Sequence, residues 1–290
     1  MNPLLVIEWP WQPDITAGLA LLAAMYTLAL VRFRPRTIWD EHIVTRREIG
    51  AFVLAMILLS AVLVSPLNRL SDSSVSIHML QHVLMLFVIP PLILTGVPGW
   101  VMHPMVRAPM VRKTLHFLTN PIAAIVIFNG ALLLWSVPTL WNDALIDPRV
   151  HAIEHLSFFA AGMIAWWPVF SPVEEVSRMS YPVQVFYLFL QSLIPSLIGI
   201  VLLFSSVVIY PWYGEAANPL GMSPLFDQRI AGLLLKLFGS VFLLIMVIVR
   251  FIQWIHHEEH EDEMIADDGH THRLHTSVRV YPKGHSPRRD

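Results

Sequence analysis

Cysteine is absent from all 290 residues, which removes disulfides, iron–sulfur clusters, thiolate zinc sites and cysteine nucleophiles together. Any metal held by this chain must use histidine, methionine, carboxylate or carbonyl groups. Charge is scarce as well: 14% of residues are Asp, Glu, Lys or Arg, and the formal net charge is −2. That balance argues against a nucleic-acid partner, because binding a polyanion needs an excess of basic residues arranged as a patch. The chain has no glycine-rich phosphate loop, no zinc-protease motif and no nucleophile–base constellation, so hydrolysis and phosphoryl transfer are without support. Lysine and arginine are missing from the first 14 residues, and no small-residue cleavage signal follows the first apolar run. That run is therefore expected to stay as a helix rather than be removed as a signal peptide.

What is abundant is apolar surface: 55% of the residues are hydrophobic, and the mean hydropathy is +0.59. A bilayer core of roughly 30 Å takes about 20 apolar residues in helical conformation. Seven stretches meet that demand, near Ile15–Val31, Ile49–Val64, Ser76–Thr95, Pro121–Pro138, Val150–Phe170, Pro182–Ile209 and Arg229–Ile255. The expected fold is an all-α, polytopic bundle of seven transmembrane helices embedded in a lipid bilayer, covering residues 1–255. Basic residues set its orientation, because cytoplasmic loops carry the excess. Arg32, Arg34, Arg36, Arg46 and Arg47 lie between the first two stretches, and Arg107, Arg112 and Lys113 between the third and fourth. Six more follow in and after the seventh, from Arg250 to Arg289, whereas the opposite loops hold mainly Arg69, Arg149 and Arg229. The N-terminus is expected outside and the C-terminus in the cytoplasm. Trp9, Trp11, Trp135, Trp141, Tyr210, Trp212 and Tyr213 fall at the outer ends, where amphipathic rings settle at headgroup level. Residues 97–120, interrupted by Pro98, Gly99 and Pro104, read as an inner-surface connection with an interfacial helix.

Four histidines form two matched pairs, His78 with His82 opening the third stretch and His151 with His155 opening the fifth. A spacing of four puts both rings of a pair on one helix face. The third and fifth helices run in the same direction, so topology alone places all four imidazoles at one depth near the outer surface. Met85 continues the first stripe, Met79 lies beside it, Glu154 lies on the second stripe, and Asp227 opens the last helix on the same side. Imidazole with thioether suits copper, particularly Cu(I), better than it suits magnesium or calcium. The competing reading for a single membrane histidine is an interhelical hydrogen bond, and for Asp227 a helix cap or a pair with Arg149 or Arg229. A haem-binding membrane cytochrome b-type oxidoreductase is the alternative from another functional class. It is disfavoured because a four-residue spacing gathers two rings around a small ion rather than across a macrocycle.

The run His78-Met79-Leu80-Gln81-His82, continuing to Pro90-Pro91 and Gly96-Val97-Pro98, has a second counterpart in His151 and Glu154-His155, followed by Phe158, Gly162 and Trp166-Trp167-Pro168. With Asp227-Gln228 and Gly232 at the start of the last helix, these motifs resemble the CtaG family of multispanning cytochrome c oxidase assembly factors. The resemblance implies a non-enzymatic protein of the bacterial plasma membrane that works with a cytochrome c oxidase subunit and a copper donor protein. In that role it would deliver copper to the haem–copper centre of a respiratory-chain oxidase. By motif match it favours His78, His82, His151, His155 and Asp227 as functional residues, with Met79 and Met85 secondary. One departure is Leu235-Lys236, where the family pattern leads one to expect a methionine.

Lys236 is expected to snorkel outward or to pair with Asp227, and Asn129 to hydrogen-bond between helices. Pro90-Pro91 should kink the third helix below its histidine pair. From residue 256 the composition changes to histidine among Glu and Asp. The segment 256–290 is expected to be a disordered cytoplasmic tail.

Overall fold

The computed structural model describes residues 12–32, 44–176, 178–216, 218, 220–256 and 258. All regular structure among them is helical. Proline, used 22 times, punctuates it, with many helices opening on a proline whose missing N–H would have had no intrahelical partner anyway. The helices are α1 (Pro13–Arg32), α2 (Arg46–Val64), α3 (Pro66–Ser71), α4 (Val75–Val83) and α5 (Ile89–Gly96). Next come α6 (Gly99–Val106), α7 (Pro109–Leu118), α8 (Pro121–Trp135), α9 (Pro138–Ile146) and α10 (Pro148–Phe170). The last three are α11 (Tyr181–Phe204), α12 (Pro211–Glu215) and α13 (Pro224–Lys236), the last of which continues through a π-helical segment, Leu237–Phe242, as one rod to His256.

Among the described residues, five helical rods are long and apolar enough to cross a membrane: Pro13–Arg32, Arg46–Val64, Val75–Gly96, Tyr181–Phe204 and Pro224–His256. A sixth results if α7 and α8, bent by 69° at their junction, form one span. Each of the seven apolar stretches lies at least largely in helix, but α8 alone has 15 residues. The 23-residue α10 carries His151, Glu154 and His155, which dilute its apolar character. The sixth stretch is shorter than expected: helix α11 stops at Phe204, and the following chain turns back over the bundle, where Ile209 N–H donates to Gln228 Oε1 at 2.7 Å. The connection at residues 97–120 holds two short helices, α6 and α7, tied to the loop after α10 by His103 Nε2 and Glu175 Oε1 at 2.5 Å. Trp9, Trp11, Arg34, Arg36 and nearly all of the histidine-rich tail lie outside the described residues.

Three local features set how α4, α10 and α13 meet. Pro90 has no N–H to offer the carbonyl of Leu86, and the chain answers with a π-helical turn at Leu84–Val88. The indole of Trp166 donates to that carbonyl at 2.9 Å, so the expected helix break is bridged by a neighbouring helix. Gly162 is the second feature: a Cβ there would sit 2.7 Å from Pro90 Cγ and 2.8 Å from the carbonyl oxygen of Met85. Only glycine lets α10 lie this close to the irregular turn. The third is Gly232, whose Cβ position is 2.7 Å from the carbonyl oxygen of Gly199, so α13 and α11 pack backbone to backbone. Asn129 bridges α8 and α11 through Gln191 Oε1 at 2.8 Å.

Candidate metal centre

Helices α4 and α10 present their N-terminal turns side by side at one end of the bundle, and each contributes one histidine stripe. Helix α4 is started by Ser74, and α10 by Asp147, whose carboxylate accepts from Arg149 N–H at 2.8 Å. With Gly162 holding α10 against the turn below, the rings interleave. His78 and His82 are 4.4 Å apart between centroids, His151 and His155 4.2 Å, and His78 and His151 5.1 Å. His82 and His155 are 5.7 Å apart. All four expected imidazoles thus form one cluster, roofed by Trp141, which lies 4.8 Å from His78 and stacks on Tyr210 at 4.2 Å.

Glu154 stands at the centre. Its side chain is fully buried, and its two oxygens face His78 Nε2 and His82 Nε2, each at 3.5 Å. Neither contact has hydrogen-bond geometry: both carboxylate oxygens and both ring nitrogens are buried with no hydrogen-bond partner. Four polar atoms aimed at one another without partners are costly in a protein interior. A cation bound beside Glu154 would give the carboxylate and His78 Nε2 the partner they lack, and His82 Nε2 lies 3.5 Å from the second carboxylate oxygen. One donor atom each from His78, His151, Glu154 and His155 lie within 4.8 Å of one another. Ligands at typical bond lengths of about 2.0–2.2 Å sit no more than about 4.4 Å apart across an ion. Shifts of a few tenths of an ångström would close the site. His151 Nε2 and His155 Nε2 are 3.0 Å apart, so one donates to the other.

The His78 tautomer follows from its neighbour. Tyr213 O–H donates to the carbonyl oxygen of Ser71 at 2.9 Å, and its oxygen is therefore left to accept from His78 Nδ1–H at 2.8 Å. The proton is held on Nδ1, and the Nε2 lone pair points into the cluster, the arrangement that orients a metal-binding imidazole.

The remaining residues singled out from the sequence are placed differently. Asp227 is buried, and its carboxylate accepts five hydrogen bonds: from Ser74 O–H at 3.0 Å, Val75 N–H at 2.8 Å, Ser76 N–H at 3.3 Å, Asn218 Nδ2 at 3.1 Å, and Ser76 O–H. It does not cap its own helix, which Ser223 caps, and among the described residues it pairs with no basic side chain. The carboxylate instead anchors the start of α13 to the positive end of α4. Among the described residues, Lys236 makes no ion pair with it. Met79 packs in the large apolar cluster around α4, α8, α9 and α10, and Met85 in the smaller one with Leu59, Val62 and Ile89. Sequence reasoning placed Glu154 on the second stripe but not among its chosen site residues. It took Trp141 and Tyr213 for headgroup-level aromatics, and nothing in their spacing marks them as partners of His78.

The cytochrome c oxidase caa3 assembly factor family, Caa3_CtaG, has a family model that matches residues 24–257, a span that includes the whole cluster. The chain belongs to this family. No curated protein and no solved structure matches it. In this assembly factor the two histidine motifs and Asp227 converge at one end of the bundle, and the proline and glycine motifs between them set the helix approach that brings them there.

Proposed function

We propose that this assembly factor binds copper as Cu(I) through His78, His82, His151, His155 and Glu154, and passes it to a cytochrome c oxidase subunit during assembly of the haem–copper centre. The observation that carries the reading is the set of unpartnered buried atoms, His78 Nε2, His82 Nε2 and both oxygens of Glu154, with each histidine nitrogen 3.5 Å from one of the two carboxylate oxygens. Imidazole-rich donors suit copper, and one carboxylate offsets the cation's charge in a medium of low dielectric. Copper here is cargo rather than a catalyst, and the residues supply ligands rather than bond-making chemistry. Met79 and Met85, packed in separate apolar clusters, are left out of the ligand set, and Asp227 holds the α4 pair in place.

The topology proposed with it has seven spans, the N-terminus outside, and a cytoplasmic tail from residue 256. Helix α10, at 23 residues, is about 35 Å long, enough to cross a bilayer core. Its polar residues are gathered at one end, where Glu154 and His155 are buried against α4. The distribution of arginine and lysine places that end at the outer face, where a copper donor protein would meet it. A membrane cytochrome b is disfavoured by the contacts between rings. His151 and His155 belong to one helix and touch at 3.0 Å, so they cannot flank a porphyrin.

Detergent-purified protein loaded with Cu(I) should retain copper and show no Soret band. A variant combining His78→Ala, His82→Ala, His151→Ala and His155→Ala should lose the copper. Both are prepared with the tail histidines replaced by serine, and equal copper in the two would refute the assignment.

A further inference from the structure

The opposite end of α13 carries a second polar site that the copper reading leaves unused. Between Asp227, at the histidine cluster, and Arg250 lie 23 helical steps, or about 35 Å, so the two sites sit at opposite faces of a bilayer-sized bundle. A cleft of about 410 Å³ opens there between α13, the N-terminus of α11 and the loop before it, lined by Arg178, Ser180, Tyr181, Gln184, Arg250 and Trp254 among others. Arg250 is 6% exposed. Its guanidinium lies 4.5 Å over the ring of Phe170, donates through Nη1 to Gln253 Oε1 at 2.9 Å and through Nη2 to the carbonyl oxygen of Val169 at 3.5 Å, while its Nε is buried without any partner among the described residues. Arg178 donates through Nε to the carbonyl oxygen of Ser171 at 3.0 Å. Among the described residues neither arginine makes an ion pair.

Two guanidiniums facing one cleft repel each other and call for an anion. The 24-residue α11 adds the positive end of its dipole, and its N-cap residue, Ser180, makes no side-chain cap. One acid lines the same cleft, Glu258, and its Oε1 already accepts from Trp254 Nε1 at 2.7 Å. The balance of the cleft is cationic. Beside it, on the same two helices, Val183, Phe186, Phe251, Ile252 and Ile255 are exposed apolar side chains, positioned to line an acyl chain. A guanidinium pair at a helix N-terminus with an apolar flank matches a phosphodiester attached to lipid, not a free ion alone.

We propose that this cleft binds the headgroup phosphate of an anionic phospholipid, fastening the junction of α10, α11 and α13. The assignment is independent of whether the histidine cluster holds copper.

Full-length protein, stripped of lipid by detergent exchange, is titrated with phosphatidylglycerol or phosphatidylcholine as probes and followed by native mass spectrometry. The parent should retain phosphatidylglycerol at least ~10-fold better than phosphatidylcholine, and the Arg178→Gln, Arg250→Gln double variant should bind it about 30-fold more weakly. Because Arg250 is buried, Ser180→Asp supplies the decisive variant. Aspartate is a good N-cap, so folding is preserved, but its charge meets the phosphate. Ser180→Asp should lose phosphatidylglycerol with a parent-like thermal melt, and Ser180→Asn should keep it. Equal retention of the two lipids would overturn the proposal, as would parent-like binding by Ser180→Asp. Displacement of phosphatidylglycerol by equimolar inorganic phosphate would overturn it too, by assigning the cleft to a soluble anion.

Discussion

Replacing Tyr213 by phenylalanine removes one oxygen and keeps the ring. The lost hydroxyl joins His78 Nδ1 at 2.8 Å to the Ser71 carbonyl at 2.9 Å, and both His78 and Ser71 are fully buried. Two effects follow. Each orphaned group costs about 1–3 kcal/mol of stability, since neither can reach water. The constraint on the His78 proton also disappears, and the tautomer with hydrogen on Nε2, which faces Glu154 Oε2 at 3.5 Å, becomes competitive. That proton would occupy the lone pair a metal needs. Loss of such an orienting partner typically weakens metal binding 10–100-fold. The assay is competition for Cu(I) against a chromophoric chelator, with the tail histidines replaced by serine, alongside a thermal melt of the metal-free protein. Tyr213→Phe should raise the Cu(I) Kd by at least ~10-fold, and in a His78→Ala background the same change should have almost no further effect on Kd. A lowered melting temperature with an unchanged Kd would refute the tautomer argument, leaving Tyr213 a purely structural residue.

Glu154→Gln should separate stability from binding. Neutralising a buried carboxylate that has no hydrogen-bond partner should hold or raise the metal-free melting temperature. The stabilisation gained on adding Cu(I), about 2.7 kcal/mol for the parent at 100 times Kd, should shrink, and an undiminished shift would remove Glu154 from the site. Gly162→Ala forces a methyl against Pro90 and the Met85 carbonyl, so it should cost about 1–3 kcal/mol and weaken copper binding by separating the stripes. Gly130→Ala, with open space around its Cβ position, should be neutral or stabilising by up to about 1 kcal/mol. Similar melting temperatures for the two alanine variants would count against the close-approach argument. Asp227→Asn loses the charge that serves five donors. Chemical denaturation should show a loss of at least ~2 kcal/mol, and the purified folded fraction should still bind copper. A stable variant that binds none would make Asp227 a ligand instead.

Much of the candidate site was legible because helical geometry converts spacing into direction. The residues at 78 and 82, and at 151 and 155, had to share a face, and counting apolar stretches placed both pairs at the same end. Hydropathy read least well where the residues of interest are: α10 carries His151, Glu154 and His155 and falls outside the strongly apolar rods. Periodicity did not locate the end of α11 at Phe204, since the apolar run resumes at Val207 after Ser205-Ser206, and the turn is held by Ser205 bonding to Val207 and by the bonds of Val207 and Ile209 to Gln228.

Composition and periodicity therefore settled that this is an all-helical membrane protein with two histidine stripes, because burial in lipid and the 3.6-residue turn are one-dimensional constraints written along the chain. What faces each stripe is a property of helix packing. The Tyr213 hydroxyl on His78 Nδ1, the Asp227 carboxylate on the start of α4, and the placing of Glu154 between two histidines depend on contacts spanning 72 to 153 residues. The last exists because Gly162 and the π-helical turn above Pro90 let α10 lie close to the rod that α4 opens, and no local pattern encodes an interhelical distance.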